Sequence, residues 1–166
     1  GYFICTVLLQ FILVIVFLLF PTVKSTFTEW IYRQTGDSYL NIPWVMARRG
    51  FGFANSFVDS FGWGIGLVAS MPLFLIKKNN PWHILLCPLL LFVSLVNART
   101  GLVVFGIGLV LFTFFVIRLY KNSTRKEKLK LLLAIFSALI ILTLLCVLLY
   151  LTNPITLQWI LGDLVS

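Results

Sequence analysis

The chain has 166 residues, of which 60% are hydrophobic and 11% charged, and its formal net charge is +8. A soluble domain of this length cannot bury so much apolar surface, and several apolar runs approach the roughly 20 residues that cross a ~30 Å hydrocarbon core. The composition therefore predicts an all-α, polytopic transmembrane helical bundle of about five spans in a single membrane domain. Nucleic acid is not expected as a partner, because most basic residues lie in short loops beside the spans, where membrane topology explains them.

The cysteine and histidine inventory argues against a metal site. Cys5, Cys87 and Cys146 lie far apart in apolar segments, and His83 is the only histidine of the chain. A zinc site needs several such ligands that converge. We therefore expect neither a metal ion nor another cofactor, and we interpret the cysteines as packing residues.

The first predicted span covers residues 2–20, and an outer loop of residues 21–55 follows it. Aromatic residues such as Trp30 recur along this loop, and aromatic side chains prefer the headgroup zone of a membrane. We expect the loop to lie along the membrane surface, with a short helix that starts at Thr28 and breaks at Gly36.

The second predicted span, residues 56–76, has two possible starts. A helix that starts near Phe51 would place Asp59 about 12 Å along its axis, at a costly depth in the membrane. A helix that starts near Ser56 would use the sequence Ser-Phe-Val-Asp as a capping box, with the Asp59 carboxylate over the first orphan amides. We favour the second start.

Small residues recur at helical spacing in two spans. Two series in the second span repeat every four residues, namely Gly52, Ser56, Ser60 and Gly64, and Gly62, Gly66 and Ser70. Gly101 and Gly108 share one face of the fourth span. Small residues at such spacing allow another helix to approach closely, so both spans are predicted to have packed faces.

The later spans are marked by proline and asparagine. Asn80-Pro81 and Asn153-Pro154 are helix-start pairs, and Pro88 is expected to kink the third span. A surface or re-entrant helix is predicted over residues 155–161. The remaining spans are 81–98, 101–120 and 131–151, and the short loops 77–80 and 121–130 connect them.

Charge counting orients the spans. The loops 77–80 and 121–130, together with Arg118, hold eight lysine and arginine residues, whereas the opposite side holds five. The positive-inside rule makes the first set cytoplasmic, so the N-terminus is predicted to be cytoplasmic and Arg99 to lie outside. The basic loop 121–130 is expected to meet anionic lipid.

Three arginines lie on the outer side, where this rule does not favour them. Arg48, Arg49 and Arg99 each offer a planar fork of donors that binds phosphate oxygens bidentately. They are candidates for binding an anionic lipid head such as a pyrophosphate, although they could also bind ordinary lipid phosphates or pair with carboxylates. Asp59 is a candidate base or arginine partner, or alternatively only a helix cap.

Two motifs carry a family resemblance. Arg48 begins the pattern Arg-x-x-Phe-Gly-Phe-x-Asn, which ends at Asn55, and Asn97 begins the sequence Asn-Ala-Arg-Thr-Gly. In this order, and separated by two spans, they resemble segments of Wzy-type polysaccharide polymerases and O-antigen ligases. The sequence departs from the family after Asn55, where the family often has Asn-Pro-Asn. The family's large outer loop would follow Ser166, so we expect the chain to be a piece of a longer protein.

The resemblance implies a metal-independent glycosyltransferase of the GT-C type at the outer face of a bacterial plasma membrane. Its partners would be an undecaprenyl-pyrophosphate-linked oligosaccharide, membrane lipids and other polysaccharide-assembly proteins. The expected catalytic residues are Arg99 and Arg48, and the expected substrate-binding residues are Arg49, Asn55, Asp59 and Asn97. Two alternatives stay open: a transporter or flippase segment for an anionic lipid-linked oligosaccharide, and a non-catalytic assembly subunit.

Overall fold

The computed structural model describes residues 2–36, 58–75, 80–97 and 100–165. These residues are almost entirely helical and contain no strand. A 3₁₀ helix, Pro81–Leu85, directly precedes α4. The α-helices are α1 (Tyr2–Leu19), α2 (Pro21–Thr35), α3 (Val58–Phe74), α4 (Leu86–Asn97), α5 (Thr100–Lys121), α6 (Arg125–Thr152) and α7 (Pro154–Val165).

Two of these helices are long and apolar enough to cross a membrane. They are α5, over Thr100–Arg118, and α6. The helices α1 and α2 pass the same test only as a pair, and the chain bends by 119° between them. The apolar segments Gly64–Phe74 and Pro81–Asn97 are shorter. The described part of the chain thus has the apolar helices of a membrane protein, with two or three candidate spans, and the five-span bundle stays a prediction.

Pro21 and Gly36 set the limits of the helix α2. Pro21 is the first residue of α2, a position where proline is tolerated because the amide there has no helical partner. Gly36 ends the helix with a φ of 65°, and its amide donates to the carbonyl of Tyr32 at 2.8 Å. The predicted break at Gly36 is therefore confirmed, but the helix starts at Pro21 rather than at Thr28.

Aromatic contacts hold α2 against the end of α1. The ring of Phe27 lies 5.2 Å from that of Phe17 and 6.1 Å from that of Trp30. Ile31 is buried on one side of α2, whereas Trp30 is 58% exposed on another. A helix with one packed face and one exposed aromatic face fits the boundary between a protein and a membrane surface.

The helix α4 is the centre of the bundle. It contacts α1, α3, α5, α6 and α7, and its residues Leu90, Phe92, Val93 and Val96 have no exposed surface. A kink within a helix is expected at Pro88, whereas the structure has a change from a 3₁₀ helix to an α-helix just before it. The 3₁₀ helix passes into α4 at Leu86, so Pro88 lies in the first turn of α4, where a missing amide hydrogen costs little.

Most of the predicted cytoplasmic loop 121–130 is helical in the structure, and its position relative to a membrane stays a prediction. The helix α5 ends at Lys121 and α6 already begins at Arg125. Thr124 and Glu127 form a capping box, in which the Thr124 amide donates to the Glu127 carboxylate at 2.8 Å. The charged residues had hidden this start in the hydropathy pattern, although Thr-x-x-Glu is itself a helix-start signature. We call residues 118–130 the basic hinge.

Candidate functional site

The turn between α4 and α5 is the centre of the candidate site. The helix α4 ends at Asn97 and α5 begins at Thr100, so Arg99 belongs to a two-residue connection. Four predicted site residues lie outside the described residues, namely Arg48, Arg49, Asn55 and Arg99. Their roles stay predictions, and the structure describes what surrounds the connection.

Asn97 and Thr100 bring buried polar groups to both sides of this turn. Asn97 is 5% exposed, and its polar group is engaged in an interaction. The Thr100 hydroxyl is buried and has no hydrogen-bond partner among the described residues. Thr113 and Thr143 donate to carbonyls four residues earlier in their helices. Thr100 is the first residue of α5, so its own helix contains no carbonyl four residues earlier to accept from its hydroxyl. The Thr100 hydroxyl, next to Arg99 in the chain, can therefore still donate and accept a hydrogen bond.

The helices α3 and α5 approach each other closely next to the turn. A Cβ atom on Gly66 would lie 2.3 Å from the Gly101 carbonyl oxygen, and one on Gly108 would lie 2.5 Å from the Ser70 Cβ atom. The series with Gly66 and Ser70 therefore forms the predicted packed face, together with Gly101 and Gly108. Gly64, from the other series, faces open space.

This contact also places Asp59 along the bundle. The helices α3 and α5 run in the same direction, because Gly66 pairs with Gly101 and Ser70 with Gly108. Asp59 lies seven residues before Gly66, about 10 Å further along the axis of α3. Its backbone is therefore at the same end of the bundle as the turn. The two possible starts of the second predicted span, near Phe51 and near Ser56, both lie within residues 51–57, outside the described residues. Both therefore stay predictions.

The helix α7 closes the same end of the bundle. The Asn153 side-chain oxygen accepts a hydrogen bond from the Thr156 amide at 3.2 Å, and Pro154 is the first residue of α7. The predicted Asn-Pro helix start is thus confirmed. Leu157 of α7 packs against the buried cluster that contains Val96 of α4. These contacts fix α7 beside the end of α4.

Lys24 is a further cation near this end. The end of α1, at Leu18, packs in the same cluster as Val96, and α2 starts directly after it. Burial lowers the pKa of Lys24 from its usual 10.5 to about 8. A partly buried cation favours an anionic partner, since desolvation penalises its charge. Lys24 is not recognisable as a site residue from the sequence, because its burial depends on how α2 packs on α1.

Two buried polar residues lie deeper in the bundle. Gln10 of α1 is 3% exposed and Ser94 of α4 has no exposed surface. The two helices pack together, with the rings of Phe11 and Phe92 in edge contact at 6.1 Å. Both polar side chains are engaged in interactions. The sequence analysis missed them, although an amide inside an apolar span is itself an indication of function.

This end of the bundle holds the Asn97 amide, the Thr100 hydroxyl and the partly desolvated Lys24 cation, groups of the kinds that bind an oxygen-rich anion. Within the described ranges, no three His, Cys, Asp or Glu side chains converge as metal ligands would. The sequence matches no protein-family model and no curated protein, and the structure matches no solved structure. The family resemblance therefore rests on the two arginine motifs alone.

Proposed function

We propose that this chain is part of a polymerase that joins lipid-pyrophosphate-linked oligosaccharide units at the outer face of a bacterial plasma membrane. In this proposal α1, α3, α4 with its preceding 3₁₀ helix, α5 and α6 each cross the membrane, and α2 lies along its outer surface. The basic hinge then faces the cytoplasm, as does the N-terminus, in agreement with the positive-inside rule.

The observation that supports the proposal most is the short connection between α4 and α5, which leaves only two residues between Asn97 and Thr100. Buried groups flank it, and the contact between Gly66 and Gly101 holds its α5 side against α3. A turn held in this way would keep the Arg99 guanidinium in one place at the membrane surface. Preorganised cations stabilise the negative charge that develops in a transition state without reorganising during the reaction.

The proposed reaction is a glycosyl transfer. A hydroxyl of the acceptor oligosaccharide attacks the anomeric carbon of the donor, the bond from that carbon to the pyrophosphate oxygen breaks, and the lipid pyrophosphate leaves. Arg99 and Arg48 would stabilise the charge on the leaving pyrophosphate, and Arg49 would bind it as well. Asn55 and Asn97 would orient sugar hydroxyls. Asp59 would accept the hydroxyl proton or brace an arginine.

Polymer length in cells tests this proposal. Arg99→Lys keeps the charge but loses the bidentate fork, and Arg48→Ala loses both. Loss of one preorganised donor typically slows catalysis by about 10²- to 10³-fold, so we expect both variants to give short or absent polymer ladders at matched protein levels. Arg33→Ala is the control, because Arg33 is exposed and pairs only on the surface with Glu29. Normal ladders from Arg99→Lys and Arg48→Ala would refute the proposal.

A flippase for the same lipid-linked oligosaccharide is the second candidate. Gln10 and Ser94 favour it, because they are buried polar residues on α1 and α4, two helices that contact each other. A transport path needs such groups at membrane depth. Reconstituted protein that moves the lipid across vesicles without joining sugars would decide for the flippase, and joined sugars would decide for the polymerase.

A further inference from the structure

An apolar crevice lies between the two candidate spans, in the half of the bundle nearer the basic hinge. The helix α5 packs mainly on α3, whereas α6 packs on the 3₁₀ helix and α4, and α5 and α6 have few contacts with each other. The crevice between them has a volume of about 220 Å³ and is partly open. Its lining includes Cys87, Leu91, Leu109, Ile135 and Ala138, and no charged side chain.

The crevice is closed on the side nearest the hinge. Phe112 of α5 and Leu131 and Ala134 of α6 are buried together there, each at most 5% exposed. A ligand therefore enters from the open side, at the depth of the two candidate spans. At that depth the surrounding medium is hydrocarbon, so the natural occupant is an apolar chain.

The basic hinge supplies a strong positive charge at the end of the two helices that line the crevice. It contains one acidic residue, Glu127, whose carboxylate is engaged by Thr124. Lys128 lies 4.7 Å from the centre of the Tyr120 ring, which ties the start of α6 to the end of α5. The other basic residues of the hinge are exposed: Arg118, Lys121, Arg125, Lys126 and Lys130. Such clusters beside a span attract anionic headgroups.

The distance from the hinge to the crevice matches one leaflet. Leu109 lies nine residues from Arg118, and Ile135 lies ten residues from Arg125. These separations correspond to about 14 and 15 Å of helix, close to half of a ~30 Å hydrocarbon core. A lipid whose phosphate lies at the hinge would thus place the end of its chain at the crevice.

We propose that one anionic glycerophospholipid binds here, with its phosphate on the basic hinge and one acyl chain in the crevice between α5 and α6. A transmembrane helix is about 10 Å wide with its side chains, too wide for a crevice of about 220 Å³. An acyl chain fits and restores the dispersion contacts that an empty gap would lose. The lipid would bridge two spans that hardly touch. This site is at the opposite end from the Asn97–Thr100 turn and does not depend on the proposed polymerase activity.

Lipid retention by the purified full chain tests the site. The protein is titrated with phosphatidylglycerol or with phosphatidylcholine that has identical acyl chains, and native mass spectrometry measures how much lipid stays bound. We expect about tenfold tighter retention of phosphatidylglycerol. Ala138→Phe fills the crevice and should abolish that preference. Leu144→Phe is the matched control, because Leu144 is on α6, 62% exposed and outside the crevice. The triple variant K121Q/R125Q/K126Q should weaken retention, whereas Arg33→Gln, at an exposed residue of α2, should not.

Photo-crosslinking of the unaltered protein provides a test that does not depend on variant folding. Phosphatidylglycerol with a diazirine near the end of one chain should label residues 84–91, 105–109 and 135–142 in preference to the rest of the chain. Equal retention of the two lipids, unchanged retention by Ala138→Phe, or labelling spread evenly to Leu144 and Leu151 would each overturn the proposal.

Discussion

Replacement of Gly66 by alanine should separate α3 from α5. The new Cβ atom would lie 2.3 Å from the Gly101 carbonyl oxygen, whereas ordinary contacts begin at 3.4 Å. The nearest atoms belong to the backbone, so no side chain can turn away to make room. One helix has to retreat by about 1 Å, and overpacking of this kind costs about 1–3 kcal/mol.

Gly64→Ala is the matched control for this change. A Cβ atom on Gly64 meets nothing within 4 Å, and Gly64 lies two residues from Gly66 in the same helix. Both variants gain the same helix propensity, up to about 1 kcal/mol. The difference between them therefore isolates the clash, and we expect Gly66→Ala to be less stable than Gly64→Ala by about 1–3 kcal/mol.

Unfolding of the two purified variants in mixed micelles, followed by the loss of helical circular dichroism, measures this difference. The proposed polymerase adds a second readout, since a displaced turn would misplace Arg99 and shorten the polymer in Gly66→Ala alone. Equal stability of Gly66→Ala and Gly64→Ala would refute the close approach of α3 and α5.

Three further changes test other contacts. Gly108→Ala should destabilise the protein by about 1–3 kcal/mol, because the added Cβ atom would lie 2.5 Å from the Ser70 Cβ atom. Ser70→Gly in the same chain removes that atom and should recover most of the lost stability. Additive effects of the two changes in a double-mutant cycle would contradict the contact. The pKa of Lys24 is about 8 in the folded state and 10.5, its usual value, in the unfolded state. Between these pH values the unfolded state binds more protons than the folded state, so the free energy of unfolding should rise with pH. A stability series against pH checks this rise, which Lys24→Met should remove. Thr124→Ala should lower the free energy of unfolding by about 1 kcal/mol. It should also speed hydrogen exchange of the first amides of α6, and unchanged exchange would argue against the capping box with Glu127.

The positions of the helices could be predicted from hydropathy, because long apolar runs bounded by charges leave few alternatives. Their ends were harder to place. The helix that contains the predicted fifth span begins at Arg125, six residues before residue 131, because the capping box at Thr124 starts it ahead of the apolar run. The first predicted span ends at residue 20, and Pro21 directly after it is the first residue of α2.

The packed faces could be predicted only in part. Two series of small residues in α3 have the same spacing, and spacing cannot tell which of them meets another helix. The position of α5 decides this question, since Gly66 meets Gly101 while Gly64 faces open space. The burial of Asn97 and Lys24 depends in the same way on neighbouring helices. Local patterns therefore identified candidate residues of the site, whereas their surroundings required the tertiary structure.

The contact between α3 and α5 has a consequence for the order of assembly. The two helices are separated in the chain by α4, so α5 can reach Gly66 only after α4 has taken its place. Lipid tails are as apolar as the helix surfaces, so no hydrophobic force draws the two helices together, and only close packing rewards their contact. In the proposed five-span topology, this contact therefore forms late in biosynthesis, once α1, α3, α4 and α5 have been inserted. A chain that stops before Gly101 would leave the Gly66 face of α3 open to other small-faced helices in the membrane.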